Sequence, residues 1–153
     1  MRPIAVVLLG AAFAFSAGDP QGFYFWKSAD LKMHTKSLSP KMDAKKFANQ
    51  KLGENGNHYY LMVHREATGD AELHETQADI IVVQTGEGSL VYGGQITDGK
   101  TTAPNEIRGP GITGGMEKPL MPGDVVEMPA KVPHWVKVAP GKQITYLVVK
   151  VIV

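Results

Sequence analysis

The feature that most constrains this chain is a short segment in which carboxylate and imidazole side chains lead into an apolar run. Residues 72–86 read ELHETQADIIVVQTG. In a β-strand, residues two positions apart lie on the same face, so Glu72 and His74 can point towards one spot. Asp79 begins the apolar run and shares a face with Ile81. Two neighbouring antiparallel strands could therefore focus oxygen and nitrogen donors on one small cation.

A second candidate segment lies far downstream. It reads GDVVEMPAKVPH and ends in His134. Together the two segments resemble the two sequence motifs of the cupin family. The first cupin motif is His-x-His, three or four residues, Glu, six residues and Gly. Here Glu72-Leu73-His74 is followed after four residues by Asp79 and after six more by Gly86.

The second cupin motif is Gly, five residues, Pro-x-Gly, two residues, His, three residues and Asn. The same spacing holds here for Gly123, Pro129-Ala130-Lys131 and His134, with Val138 at the Asn position. The chain departs from the family pattern at four positions, which are Glu72, Asp79, Lys131 and Val138. Because the spacing matches throughout, the resemblance implies an all-β fold. The expected architecture is a double-stranded β-helix (jelly-roll) cupin barrel, here with a short N-terminal helix.

The resemblance also implies a metal site. It places Glu72, His74, Asp79 and His134 at the positions of the four family ligands. Two imidazoles with one or two carboxylates suit a divalent ion of iron, manganese, nickel or zinc. Because Asp is one methylene shorter than Glu, we rank Glu72 above Asp79 as a direct ligand. The alternative is that these side chains bond to one another in the barrel mouth without metal.

Three further side chains are candidates for the pocket. Arg65 could bind a substrate carboxylate, and Tyr146 could act as a general acid, so both are catalytic candidates. The alternative for Arg65 is a structural or solvated ion pair, and the direction in which Tyr146 faces is left open by the sequence. His64 lies on the strand before the first motif, where a lone histidine is expected to be structural.

Composition limits the class of protein. The chain has 153 residues, of which 43% are hydrophobic and 20% charged, as expected for one globular domain. Its formal net charge is +1 and it has no run of Lys or Arg, which argues against a nucleic-acid partner. Its 17 glycines and 10 prolines favour a β architecture rich in turns.

Residues 1–18 have the pattern of a signal peptide. Arg2 gives a basic start, residues 4–15 are almost wholly apolar, and Ser16-Ala17-Gly18 supplies small residues for cleavage. The apolar run is too short for a stable membrane anchor. The alternative is a buried N-terminal strand or helix. Because the chain has no cysteine, secretion without disulfides indicates a bacterial periplasm.

The remaining chain is predicted to contain an N-terminal extension, residues 19–57, and the barrel, residues 58–153. A short helix is expected to begin with Ser39 as N-cap and Pro40 at its first position. This helix should end near Leu52-Gly53.

Two later segments predict further structure. Residues 79–85 and 89–92 flank the turn Gly86-Glu87-Gly88 and predict a β-hairpin. Residues 144–151 predict a long apolar terminal strand. Such a strand at a sheet edge needs cover from a partner, so we expect a homodimer.

Two functions of different classes follow. The first is a metal-dependent cupin enzyme that acts on a small polar substrate, either sugar-derived or a carboxylate, as an isomerase, lyase or dioxygenase. The second is a non-catalytic module that binds a small ligand in the same cavity, or a structural barrel. We favour the enzyme, since the ion could act as a Lewis acid or bind oxygen.

Overall fold

The structure is a computed structural model and describes residues 18–153. The predicted signal peptide, residues 1–18, therefore lies outside the described residues except for Gly18. Within the described range, no helix has both the length and the apolar character needed to cross a membrane.

The described residues form one α-helix followed by many short strands. Helix α1 spans Ser28–Leu38 and continues into a 3-10 turn, Ser39–Lys41. The strands are β1 (Phe47–Asn55), β2 (His58–Arg65), β3 (Ala71–His74), β4 (Gln77–Gly86), β5 (Gly88–Tyr92), β6 (Gln95–Thr97), β7 (Lys100–Ala103), β8 (Glu106–Gly109), β9 (Gly111–Thr113), β10 (Met116–Leu120), β11 (Val125–Met128), β12 (His134–Lys137) and β13 (Ile144–Ile152).

Two antiparallel sheets form the barrel. One has the strand order β1-β2-β13-β4-β11, and the other has the order β10-β5-β12-β3-β8-β7. Strands β6 and β9 form a separate pair. Strands that follow each other in sequence, such as β3 and β4, lie in different sheets, so the chain winds between the two layers. The predicted all-β, double-stranded β-helix with a short N-terminal helix is confirmed.

The hydrophobic core lies between the two sheets. Because successive strand residues point to opposite faces, alternate positions of each strand supply it. On β13, for example, Ile144, Tyr146 and Val148 face the interior, whereas Leu147 faces outward against helix α1. The buried core consists of Val63, Ile81, Val83, Leu90, Leu120, Met128, Val136, Val138, Ile144, Tyr146 and Val148.

Helix α1 covers the outer face of the five-stranded sheet. Its last residue, Leu38, is 1% exposed and packs with Ala48 of β1 and Met62 of β2. This second cluster removes apolar surface of the sheet from water, which is the main source of stability for such a contact.

The helix predicted to begin at Ser39 is wrong in position. Ser39 and Pro40 lie in the 3-10 turn at the end of α1, so the sequence signal marks the end of a helix. Asp43 then holds a turn, because its carboxylate accepts hydrogen bonds from the backbone N–H groups of Lys45 and Phe47, at 2.9 and 3.1 Å. The chain leaves this turn as β1, which pairs with β2. The predicted extension, residues 19–57, thus supplies an edge strand of the barrel.

The predicted hairpin between residues 79–85 and 89–92 is also wrong. Strands β4 and β5 belong to different sheets, and Gly86-Glu87-Gly88 carries the chain from one to the other. Gly86 has φ 77° and lies against the backbone carbonyl of Gln143, where a Cβ would collide. A glycine is therefore required at this crossing for a reason other than a hairpin turn.

The terminal strand is not at a sheet edge, so it does not need the cover from a partner that was expected for it. Strand β13 lies in the middle of its sheet, between β2 and β4, so both of its edges are already paired. The strands at the edges of this sheet are β1 and β11. The homodimer itself stays a prediction.

We expect Leu38→Ala to destabilise the protein by about 2–5 kcal/mol, because it leaves a cavity between α1 and the sheet. The matched control is Met33→Ala on the same helix, where the side chain is 62% exposed and the change should be below about 0.5 kcal/mol. Urea denaturation gives both free energies of unfolding. Equal effects of the two substitutions would contradict the docking of α1.

Candidate metal centre

The four predicted ligands meet inside the barrel. Glu72 and His74 lie on β3, Asp79 lies on β4, and His134 begins β12 directly opposite Glu72. One donor atom from each of the four lies within 4.8 Å of the others. The pairing of β3 with β12 is the reason that residues some sixty positions apart in sequence reach one place.

Both histidine rings are oriented by a hydrogen bond at Nδ1. His74 Nδ1 donates to the carboxylate of Glu106, and His134 Nδ1 donates to the backbone carbonyl of Val132 at 3.1 Å. Each ring therefore turns Nε2 towards the shared centre. A hydrogen bond of this kind selects the tautomer whose Nε2 lone pair is available for a metal ion.

Asp79 lies closer to the middle of the cluster than the sequence predicts. Its Oδ2 lies 3.4 Å from His74 Nε2 and 3.6 Å from His134 Nε2, and its side chain is 3% exposed. Glu72 contacts only His134 among the histidines, at 3.4 Å. The other oxygen of Glu72 is held by Arg108 at 2.7 Å. Asp79 therefore faces both histidines, whereas Glu72 faces one histidine and Arg108; the ranking of the two as metal ligands stays a prediction.

Lys150, which was not among the predicted site residues, reaches into this cluster. Its Nζ lies 2.7 Å from His74 Nε2 and 2.8 Å from each carboxylate oxygen of Asp79. The contact follows from register, because β13 pairs Lys150 directly with Asp79. A sequence signal existed: Lys150 is a lone charge in an apolar strand, at a position that shares a face with Tyr146 and Val148.

Glu106 and Arg108 were missed as well. Strand β8 pairs with β3 so that Glu106 lies opposite His74 and Arg108 opposite Glu72. Arg108 also contacts Glu106, so the two acids on the outer side of the cluster share one guanidinium. The spacing Glu-x-Arg puts both side chains on one face, but no motif marks the segment as part of the site.

The residues present fit a divalent ion. His134 Nε2 is buried and makes no well-aligned hydrogen bond within residues 18–153, although carboxylate oxygens of Glu72 and Asp79 lie 3.4 and 3.6 Å away. A buried nitrogen without a hydrogen bond is costly unless an ion pair or a bound ion compensates it. Together with His74 Nε2 and the carboxylates of Glu72 and Asp79, it forms a mixed nitrogen and oxygen donor set that suits a transition-metal ion.

The charges in the cluster shift the pKa values of its members. Burial alone would raise the pKa of Glu72, but His134 and Arg108 lower it to about 2. Burial is likewise outweighed at Asp79, where His134, His74 and Lys150 hold the pKa well below its usual range. Burial would lower the pKa of His134, yet Asp79 and Glu72 raise it to about 9. Without metal, the cluster therefore holds ionised acids and a protonated His134.

A cavity of about 380 Å³ opens beside the cluster and contains both catalytic candidates. Arg65 Nε donates a hydrogen bond to the Tyr146 hydroxyl at 3.0 Å, and the guanidinium stacks over the ring of Phe47 at 4.6 Å. Arg65 is 8% exposed, and among the described residues no carboxylate forms an ion pair with it. Its charge is therefore available to a ligand in the cavity.

The Tyr146 hydroxyl accepts the hydrogen bond from Arg65, and its own hydrogen remains available for donation to a ligand. Burial raises the pKa of its hydroxyl, so the group stays protonated at neutral pH. This is compatible with the predicted general acid, although Tyr146 also positions Arg65.

His64 lies outside the cavity, on the face of β2 that α1 covers. Its Nδ1 bonds to the Thr145 hydroxyl at 2.8 Å and its Nε2 contacts Glu66 at 3.2 Å. The side chain is fully buried. Its satisfied contacts agree with the structural role expected for it.

Comparison with known proteins identifies the fold. The sequence matches no protein-family model and no curated protein. In structure, the chain is similar to the polyketide cyclase RemF from Streptomyces resistomycificus, with a TM-score of 0.51 and 18% identity, over 72% of this chain and 68% of that one.

Two further structures are similar. A cupin-2 domain protein from Rhodospirillum rubrum gives a TM-score of 0.52 and 14% identity, over 70% of this chain and 60% of that one. A candidate mannose-6-phosphate isomerase from Ralstonia eutropha gives a TM-score of 0.51 and 17% identity, over 73% of this chain and 90% of that one. These likenesses show a shared barrel and leave the chemistry to the site itself.

The stability of the metal-free protein should fall as the pH rises from 6.5 to about 9. The pKa of His134 is about 9 in the folded protein and 6.5 when unperturbed. Its charge therefore stabilises the fold fully below pH 6.5, and this contribution is lost as the pH rises through 9. The loss should be at most about 3 kcal/mol, measured by urea denaturation in EDTA. An unchanged pH dependence in His134→Asn would contradict this assignment.

Proposed function

We propose that this chain, whose fold is that of a small single-domain cupin, binds one divalent metal ion in the barrel and acts on a small polar substrate. The observation that carries the proposal is the convergence of two histidine Nε2 atoms and two carboxylates, with no hydrogen bond to His134 Nε2 among residues 18–153. On each histidine Nδ1 is already used, so Nε2 is the nitrogen that would bind the ion once His134 has lost its proton.

The donor set suits iron, manganese, nickel or zinc. Such an ion would supply Lewis-acid activation of a substrate oxygen, or a place for oxygen to bind. His74 and His134 would hold it from the β3–β12 side, and Asp79 from β4. Glu106 would keep His74 in the binding tautomer.

The cavity favours a substrate that carries a carboxylate or a related polar group. The guanidinium of Arg65 is the charged group in the cavity that has no carboxylate partner, and Tyr146 orients it. Small substrates fit a volume of about 380 Å³. Among proteins of similar fold, one is described as a polyketide cyclase and one as a candidate mannose-6-phosphate isomerase. These descriptions support an enzyme that acts on a small molecule, of the isomerase, lyase or dioxygenase type.

Metal content tests the proposal. We expect His74→Ala and His134→Ala each to lower metal affinity by at least about tenfold, since each removes one donor atom. Asp79→Asn should weaken binding more than Glu72→Gln, because Asp79 contacts both histidines. The measurement is bound metal per chain after exhaustive dialysis, with circular dichroism to verify that each variant is folded.

The matched control is His64→Ala, because His64 is a buried histidine outside the cluster. It should hold as much metal as the native protein. If the folded native protein binds none of the four metals, the cluster is instead a ligand pocket or a structural network, which is the non-catalytic alternative. If the native protein does bind metal, oxygen uptake by the metal-loaded protein separates dioxygenase from isomerase or lyase chemistry.

We also propose that the protein is secreted to a bacterial periplasm. The support is the sequence pattern of residues 1–18, with a basic start, an apolar stretch and small residues at its end. Protein purified from its native host should begin within a few residues of Asp19. Intact-mass measurement decides this, and a retained Met1 would refute it.

A further inference from the structure

We propose that Lys150 is a tethered competitor of the metal ion. Its ammonium group and a divalent ion use the same donor atoms, so the ion binds only when the Lys150 side chain leaves the cluster. This inference rests on the proposed metal site and adds an exchange step to it.

The number of lone pairs on His74 allows only one cation to bind its Nε2 atom. His74 Nδ1 carries the hydrogen donated to Glu106, so a hydrogen bond from the Lys150 ammonium to Nε2 uses the one lone pair that the ring has left. Lys150 Nζ lies 2.7 Å from this Nε2, at hydrogen-bond distance. A lone pair that accepts a hydrogen bond from an ammonium cannot bind a metal ion at the same time. Occupation of His74 by one cation therefore excludes the other.

The carboxylate of Asp79 is likewise occupied by the Lys150 ammonium. Both of its oxygens lie 2.8 Å from Lys150 Nζ, so the ammonium faces the whole carboxylate. A metal ion bound to His74 and Asp79 would lie about 2.0–2.2 Å from each donor atom. It would then be in contact with an ammonium that is held by the same two groups. Two positive charges at such a distance repel each other strongly in a buried site.

The adjoining cavity offers space for the displaced Lys150 side chain. Lys150 lines the same cavity as Arg65 and Tyr146, and its long side chain is flexible. On metal binding, its ammonium would turn into the cavity, which already contains the unpaired guanidinium of Arg65. The metal-loaded cavity would then carry two cations, which favours an anionic ligand.

The test compares Lys150→Met with a matched control, Lys137→Met. Both lysines lie on strands and pair with a carboxylate, but Lys137 pairs with Glu117 on the surface. Isothermal titration with Zn²⁺ measures the affinity of each folded variant. We expect Lys150→Met to bind Zn²⁺ at least about tenfold more tightly than the native protein, because a charge-assisted contact no longer has to be broken. Lys137→Met should bind as the native protein does.

The outcomes separate this inference from the proposed function. Equal or weaker binding by Lys150→Met, with Zn²⁺ bound by the native protein, overturns the inference and leaves the metal site standing. Zn²⁺ binding by Lys150→Met alone supports the competition and rejects a resident metal in the native protein. Binding by neither protein overturns both proposals.

A second measurement uses the native protein, so it applies even if Lys150→Met does not fold. Lysines are acetylated with acetic anhydride, with and without Zn²⁺, and the modified peptides are quantified by mass spectrometry. Acetylation of Lys150 should increase when Zn²⁺ is bound, because the ammonium is released from His74 and Asp79. Lys137 is the internal reference and should not change. Unchanged or reduced acetylation of Lys150 under Zn²⁺ saturation would overturn the inference.

Discussion

The buried carboxylate of Asp79 has to be matched by positive charge, and the barrel is arranged so that this charge reaches it. An ionised carboxylate that is 3% exposed would be strongly destabilising without a partner. The partner comes from β13, whose register places Lys150 directly opposite Asp79. The pairing of β13 with β4 therefore closes the sheet and also neutralises the site. Loss of that register would expose the core and leave Asp79 uncompensated in a single step.

The two faces of β13 contact different parts of the protein, which are the barrel interior with the candidate site and the outer cluster under α1. Tyr146, Val148 and Lys150 point inward and supply a pocket residue, a core residue and a charged group of the candidate site. Thr145 and Leu147 point outward, where they contact His64 and the cluster under α1. Because the side-chain period of a strand is two, a shift of one residue would exchange these sets completely. The outer cluster and the candidate site thus require the same register.

The sequence predicts those parts of the site that depend on local spacing. Glu72 and His74 are two residues apart on one strand, and the motif resemblance brings Asp79 and His134 to them. Lys150 and Arg108 could not be found in this way, since their positions depend on which strands pair and in which register. The fold class was predictable as well, because it follows from the same spacing of the two motifs. The helix at Ser39 was misplaced because a Ser-Pro pair suits the end of one helix as well as the start of another.

The charge balance of the cluster explains how the same fold can accommodate either the Lys150 ammonium or a divalent metal ion. Glu72, Asp79 and Glu106 contribute three negative charges, and Arg108 and Lys150 contribute two positive charges. Protonated His134 completes the balance in the absence of metal. A divalent ion that replaces the Lys150 ammonium and the His134 proton brings the same charge of two. The exchange therefore leaves the net charge at the donor atoms unchanged, while the Lys150 ammonium moves into the adjoining cavity. Because the buried acids are balanced by charge without an ion, we expect the barrel to fold without metal, in contrast to small domains whose folding free energy comes from the ion.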